Sequence, residues 1–138
     1  MKNPETILAK NIMLYVNRLR DSADRYRARL IRNRLGSDSL TRIPFGLGTG
    51  SPDLVGVLAS GRLFCVEVKM PKTGVIRESQ KKWWRAAKLW KVTGGYARSK
   101  EEALELLGLA EHLEREAARG ALPLGASLEP NHDRLGGQ

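Results

Sequence analysis

Two short apolar runs of the chain each carry an acidic residue where core packing alone would not place one. Asp53 comes directly before the first run, residues 54–58, and Glu67 lies inside the second, residues 63–68, with Lys69 two positions later. Mg²⁺ and Mn²⁺ prefer oxygen ligands, usually one or two carboxylates completed by water and a substrate phosphate. A lysine beside them can orient an attacking water and stabilise phosphate charge. These residue types point to a divalent-metal site for phosphate chemistry.

The spacing of the two runs predicts that they pair as a hairpin. The segment between them, residues 59–62, is small, polar and contains glycine, as hairpin loops do. Because side chains alternate along a strand, Glu67 and Lys69 share one face and the neighbouring valines point to the other. Asp53 starts the first strand and therefore pairs near the end of the second, where its carboxylate can converge with that of Glu67.

At these positions the chain resembles a known nuclease family. Pro52-Asp53 followed by Glu67-Val68-Lys69 matches the signature of the PD-(D/E)XK nuclease superfamily. The glycine-containing segment 46–56 is similar to its virus-type replication-repair branch, the VRR-NUC domain. The resemblance covers roughly residues 4–107, which is most of the chain.

The resemblance implies both an activity and the residues that perform it. We expect Mg²⁺ or Mn²⁺ to be bound by Asp53, Glu67 and the carbonyl of Val68, with Lys69 orienting the water that attacks the scissile phosphate. The products would be a 5′-phosphate and a 3′-hydroxyl. Standalone members act as dimers on branched DNA, so the resemblance implies a homodimeric endodeoxyribonuclease for Holliday junctions or other branched DNA. Replication, recombination or repair in bacteria or phage would be the setting.

Two further catalytic residues, Glu5 and Gln80, depend more on the resemblance than on spacing. By composition, Glu5 complements the dipole of an early helix and Gln80 is a surface amide. The family places a glutamate on its early helix and a glutamine on the helix after the lysine strand, and these two residues match. That second helix usually opens with serine or threonine and then proline, which Arg77-Glu78 replace here.

The first part of the chain predicts a helix and then a strand. Asn3, Pro4 and Glu5 have the residue types of a helix start, and apolar residues follow at helical spacing. We expect this helix to continue to about Arg25, or further, and a strand to end near Asn33.

A glycine-rich connection then occupies residues 36–50. Its segment 46–50 invites comparison with a dinucleotide or phosphate loop, but a strand follows it where those folds open a helix. Glycines that let the backbone approach DNA or a metal ion are the better interpretation.

The second part predicts a helix over residues 77–91, a strand over residues 94–98 and a last helix with a Ser99/Glu102 capping box. The element order is helix, strand, two-stranded hairpin, helix, strand, helix. We therefore expect a mixed α/β (α+β) fold with a restriction-endonuclease-like central sheet flanked by helices.

Length and charge indicate one nucleic-acid-binding domain. The chain has 138 residues, with 24 lysines and arginines against 15 acids and a net charge of +9. We expect a domain over residues 1–118 and a flexible tail over residues 119–138. DNA explains the charge better than general solubility or an acidic membrane. Arg29, Arg32 and Lys72 are the predicted phosphate contacts.

The single cysteine, Cys65, lies in an apolar run and predicts a buried thiol in a reduced cytoplasm, bacterial or that of a phage-infected host. We see no signal peptide or membrane span in the sequence and expect no membrane partner.

The three tryptophans, Trp83, Trp84 and Trp90, could pack in the core, stack on DNA or form a dimer contact. We prefer a core or interface position for at least two of them.

Two other functions of the chain stay open. The chain could be a noncatalytic basic DNA-binding subunit, or a hydrolase for nucleotides or RNA.

Overall fold

An asparagine cap and a proline begin the first helix, α1 (Pro4–Arg18). The computed structural model describes residues 3–42 and 44–137, and the side chains among them apart from residues 44, 45 and 121–137. The side chain of Asn3 accepts a hydrogen bond from the Glu5 N–H at 2.8 Å, which satisfies one free donor of the first turn. The buried residues of α1 are Ala9, Ile12 and Val16, at helical spacing.

The helix ends earlier than the sequence predicts, at Arg18 instead of about Arg25. The Asp21 carboxylate accepts backbone hydrogen bonds from Ala23 at 2.9 Å and Arg25 at 3.0 Å, which holds the chain in a turn. Aspartate favours such turns because its short side chain competes with the helix for backbone donors. This local competition explains why the expected helix end was wrong.

Four strands form the main sheet: β1 (Ala28–Arg32), β4 (Leu54–Leu58), β5 (Leu63–Val68) and β6 (Thr93–Ala97), in the order β1-β4-β5-β6. β4 pairs antiparallel with β1 and β5, whereas β5 and β6 are parallel. The predicted hairpin is confirmed with its boundaries. The glycine-rich connection contains an unpredicted small ribbon, β2 (Gly36–Ser37) and β3 (Pro44–Phe45).

The two faces of the sheet are covered by different helices. α1 and α3 (Lys100–Gly137) pack on the face that presents Leu54, Val66 and Val68. The other face presents Cys65 to Trp84 and Ala87 of α2 (Glu78–Leu89), with Trp83 packed beside them. The mixed sheet with three flanking helices confirms the predicted fold class. Trp84 in the core and Trp83, partly buried against it, agree with the preference for core or interface at two of the three tryptophans.

α3 continues as helical backbone past residue 119, where the sequence predicts a flexible tail. The division into residues 1–118 and 119–138 therefore stays a prediction. Within the part of the chain that the structure describes, no helix combines the length and apolar character needed to cross a membrane.

Candidate active site

A pocket of about 550 Å³ opens at the end of the sheet where β4 begins and β5 ends. The side chains that the sequence predicts as catalytic all line it, namely Glu5, Asp53, Glu67, Lys69 and Gln80. Three of them come from the hairpin and its edges, one from the first turn of α1 and one from the first turn of α2. Residues up to 75 positions apart in the chain are thus brought to one place.

The hairpin register brings Asp53 and Glu67 together. Leu54 pairs with Val66, so Asp53, the residue before β4, lies opposite Glu67 near the end of β5. The Val68 N–H donates to Asp53 Oδ2 at 2.9 Å, which fixes the Asp53 carboxylate at the strand end. Glu67 is only 2% exposed, and its Oε2 atom has no hydrogen-bond partner. A buried carboxylate oxygen without a partner is costly and calls for an explanation.

The pKa of Glu67 is raised from an ordinary value of 4.5 to about 9, and burial is the largest cause. The hydrogen bond and negative charge of Asp53 and the charge of Glu5 contribute to this rise, whereas the charge of Lys69 opposes it. In the protein alone, Glu67 therefore holds a proton at neutral pH. A cation placed between the two carboxylates would oppose both the burial and the repulsion.

Lys69 is 5% exposed and follows the last residue of β5. Its N–H donates to Ala97 O at 3.0 Å, which continues the pairing with β6 beyond the strand. Arg98 then holds the next turn, because its Nη1 donates to Met70 O at 2.6 Å and to Gly74 O at 3.2 Å. Arg98 was not predicted. It is one arginine among many in the sequence, and its partners lie 24 and 28 positions away.

Asn33 supports the other side of the pocket and was also not predicted. Its Nδ2 donates to Ser51 Oγ and Pro52 O, each at 2.8 Å, and its N–H donates to Asp53 O at 2.8 Å. Ser51 is buried, and its Oγ donates to Gly48 O at 2.6 Å. This network fixes the backbone that carries the Asp53 carboxylate.

Gly50 lets this loop contact the start of α2. Its φ is +84°, and a Cβ atom there would lie 2.2 Å from Ser79 O. Glycine alone combines this backbone conformation with so close an approach. The glycine-rich connection therefore joins the Asp53 side of the pocket to the helix that carries Gln80.

Gln80 lines the pocket and also has a structural role, because it caps α2. Its Oε1 atom accepts from the Arg77 N–H at 2.8 Å, which is the capping hydrogen bond of α2. The side-chain NH₂ group of Gln80 is not used in this cap. Glu5 occupies the first turn of α1, where the helix dipole stabilises its charge.

The predicted phosphate contacts lie outside the pocket lining. Arg29 is exposed on the edge strand β1, opposite Val57. Arg32 lies at the end of β1, half-buried, and its Nε atom is buried without a partner. Lys72 is exposed in the turn that leads to Thr73, which does line the pocket. Arg77 and Ser79 also line the pocket and were missed, because the sequence places them only at a helix start.

The donor set fits a hard divalent ion that keeps part of its own shell. In the described part of the chain, no three histidine, cysteine or acidic side chains are grouped so as to hold a metal ion by themselves. Asp53 and Glu67 offer carboxylate oxygens, one of them unpartnered, and water and phosphate would complete the shell, as is common for Mg²⁺. Val68 bonds to Asp53 through its N–H. The metal-binding role of its carbonyl stays a prediction.

Compared with protein-family models, curated proteins and solved structures, the chain matches none. The nuclease resemblance therefore depends on the motif residues themselves.

Proposed function

We propose that this protein is a Mg²⁺- or Mn²⁺-dependent endodeoxyribonuclease with a restriction-endonuclease-like core of the PD-(D/E)XK type, similar to VRR-NUC domains. The observation that supports this most is the buried, partly unpartnered Glu67 carboxylate beside Asp53 and the buried Lys69, in one pocket. Burying an acid and a lysine beside a second, half-buried acid costs stability, and such costly clusters are typical of functional sites.

The residues of the pocket have distinct roles in this proposal. Asp53 and Glu67 would hold the cation, which polarises the scissile phosphate and lowers the pKa of water. Lys69 orients the attacking water and stabilises the charge that develops on the phosphate. Gln80 donates its amide to water or substrate near the site, and Glu5 adds negative charge at the pocket wall.

The proposed substrate is DNA, with branched structures such as the Holliday junction favoured. The net charge of +9 supports a polyanionic partner. A homodimer would bring two pockets to two strands, as the resemblance implies. The free, buried Cys65 agrees with a reducing compartment such as a bacterial or phage-infected cytoplasm.

Cleavage assays test the catalytic assignment. Branched, nicked and plain duplex DNA are incubated with Mn²⁺ and the parent protein, Asp53→Asn or Lys69→Ala. We expect each change to lower the cleavage rate by about 100-fold or more, because each removes a ligand or the water-orienting group. Asp24→Asn is the matched control, since Asp24 is exposed and its φ of +60° suits asparagine equally well. Cleavage at the parental rate by the Asp53 or Lys69 variant would contradict the catalytic assignment.

Calorimetric titration with Mn²⁺ separates the nuclease from a noncatalytic DNA-binding subunit. If the protein is a nuclease, the parent binds Mn²⁺ and the Glu67→Gln variant does not, because the neutral amide replaces a charged ligand. A binding-only subunit binds DNA without taking up Mn²⁺ at this pocket.

A further inference from the structure

The outer face of α2 carries a basic stripe that the proposed active site does not use. Arg77, Lys81, Arg85 and Lys88 follow one side of the helix at spacings of about one turn, and all four are exposed. Glu78 is the acid of this helix, and it pairs with Arg85 at 3.2 Å on the surface. The stripe therefore keeps a net positive charge, as a surface that binds phosphates requires.

An exposed tryptophan follows the last turn of α2, beyond the last lysine of the stripe. Trp90 directly follows α2 and is 83% exposed, whereas Trp84 is 6% exposed in the core. Leu89 beside it is equally exposed. An indole left in water at the end of a basic surface gives up the burial that tryptophan normally gains. Such a ring is suited to stack on a nucleic-acid base.

The stripe leads away from the candidate active site. Arg77 lines the pocket at the first turn of α2, and Trp90 lies beyond the last turn. A helix of 12 residues is about 18 Å long. Basic side chains thus run from the pocket along the helix to Lys88, and the exposed ring lies two positions further along the chain.

We propose that the outer face of α2 and the exposed ring of Trp90 beyond its last turn bind an unpaired arm of the DNA substrate, with Trp90 stacked on a base about one helix length, 18 Å, from the pocket end of α2. The arm is unpaired because bases inside a duplex are already stacked on each other and offer no free face. That the pocket end of α2 is the end nearest the scissile phosphate rests on the proposed nuclease function. The charge complementarity and the free ring favour a nucleic-acid strand over a second copy of this basic chain.

Binding assays in EDTA with the Asp53→Asn protein test this without cleavage. The two probes are a blunt duplex and the same duplex with a single-stranded arm. We expect Trp90→Ala to weaken binding of the armed probe about 10-fold, the loss of one stacked base, with the blunt duplex changed less than about 2-fold. Trp90→Phe should restore most of the affinity. Tyr26→Ala, at an exposed aromatic residue before β1, is the control and should change neither probe.

Abasic substitution locates the contact. One base of the arm is removed at a time, and the affinity is measured with the parent ring and with Trp90→Ala. We expect one abasic position to weaken binding about 10-fold with Trp90 present and to have no effect in Trp90→Ala, because the lost contact is the same. An abasic penalty that persists in Trp90→Ala would overturn the stacking.

The lysines of the stripe are tested by salt dependence. Lys81→Gln with Lys88→Gln should flatten the slope of log affinity against log salt by about 1.4 on the armed probe, as expected for two lost phosphate contacts to a single strand. Lys10→Gln on the exposed side of α1 should leave the slope unchanged.

The outcomes separate the two proposals. If Trp90→Ala leaves the armed probe unaffected, or instead changes the oligomeric state seen in sedimentation, the arm-binding surface is wrong and the nuclease assignment stands on its own test. If Asp53→Asn still cleaves at the parental rate, the nuclease assignment fails, while loss of arm binding in Trp90→Ala still supports the surface.

Discussion

At the scale of single residues, Asp53 and Glu67 are two neighbouring acidic side chains with different environments. Asp53 accepts the Val68 N–H at the strand end, whereas Glu67 is buried with one oxygen unpartnered. Burial destabilises the charged form of Glu67 relative to its protonated form. Without a cation, Glu67 therefore reduces the stability of the fold at neutral and alkaline pH.

Replacing Glu67 with glutamine should stabilise the metal-free protein in a pH-dependent way. The pKa of Glu67 is about 9 in the folded protein and near 4.5 when unfolded, so between these values the folded state holds a proton that the unfolded state has lost. Its contribution to stability therefore decreases as the pH rises through this window. We expect the melting temperature of Glu67→Gln in EDTA to exceed that of the parent by several degrees at pH 8 and by less at pH 5.

Thermal unfolding at the two pH values measures this gap. Glu105→Gln, at an exposed position past the first turn of α3, is the matched control and should leave the melting temperature unchanged at both. A gap between Glu67→Gln and the parent that does not grow with pH would contradict the burial argument.

The sequence predicts that some of these residues converge and gives no indication of others. Asp53, Glu67 and Lys69 follow from strand alternation and a short hairpin loop, because both constraints are local. Asn33 and Arg98 act through hydrogen bonds to loops far along the chain, and nothing in their neighbours indicates those partners. Local periodicity therefore gives the centre of the site and misses its supports.

At the scale of elements, the glycine-rich connection positions the site by contacting α2. Gly50 lies against Ser79 in the first turn of α2, and Gly48 lies two residues earlier in open space. Both have positive φ, +84° and +94°. The sequence predicts that glycines here permit a close approach, but the partner is a helix of this chain in the case of Gly50. Composition alone does not distinguish such a contact from an approach to a ligand.

These two glycines form a matched pair for mutation. Gly48→Ala should destabilise the protein by about 1 kcal/mol, the strain of a left-handed alanine. Gly50→Ala adds a clash with backbone atoms of Ser79 and should destabilise it by at least about twice as much. Because the loop carries Asp53, the cleavage rate should fall in Gly50→Ala and persist in Gly48→Ala. Equal melting temperatures for the two variants would show that the contact with α2 is unimportant.

At the scale of the whole molecule, α3 packs on the face of the sheet that α1 also covers. Ala103, Leu107 and Ala110 are buried in the core shared with α1. Beyond them, the Arg27 guanidinium donates to Glu111 at 3.1 Å, and Ser60 of the hairpin loop donates to Glu114. These contacts all lie before residue 119. The predicted domain boundary therefore lies after the described contacts between α3 and the sheet.

A chain that ends after residue 118 should consequently fold like the full chain. It keeps the buried face of α3 and both polar contacts. We expect its melting temperature to lie within about 2 °C of the full chain, with cleavage unchanged. A second truncation after residue 109 removes Ala110 and both polar contacts, and should lower the melting temperature by about 5 °C or more. If both truncations unfold alike, residues 119–138 contribute to the fold and the predicted boundary is wrong.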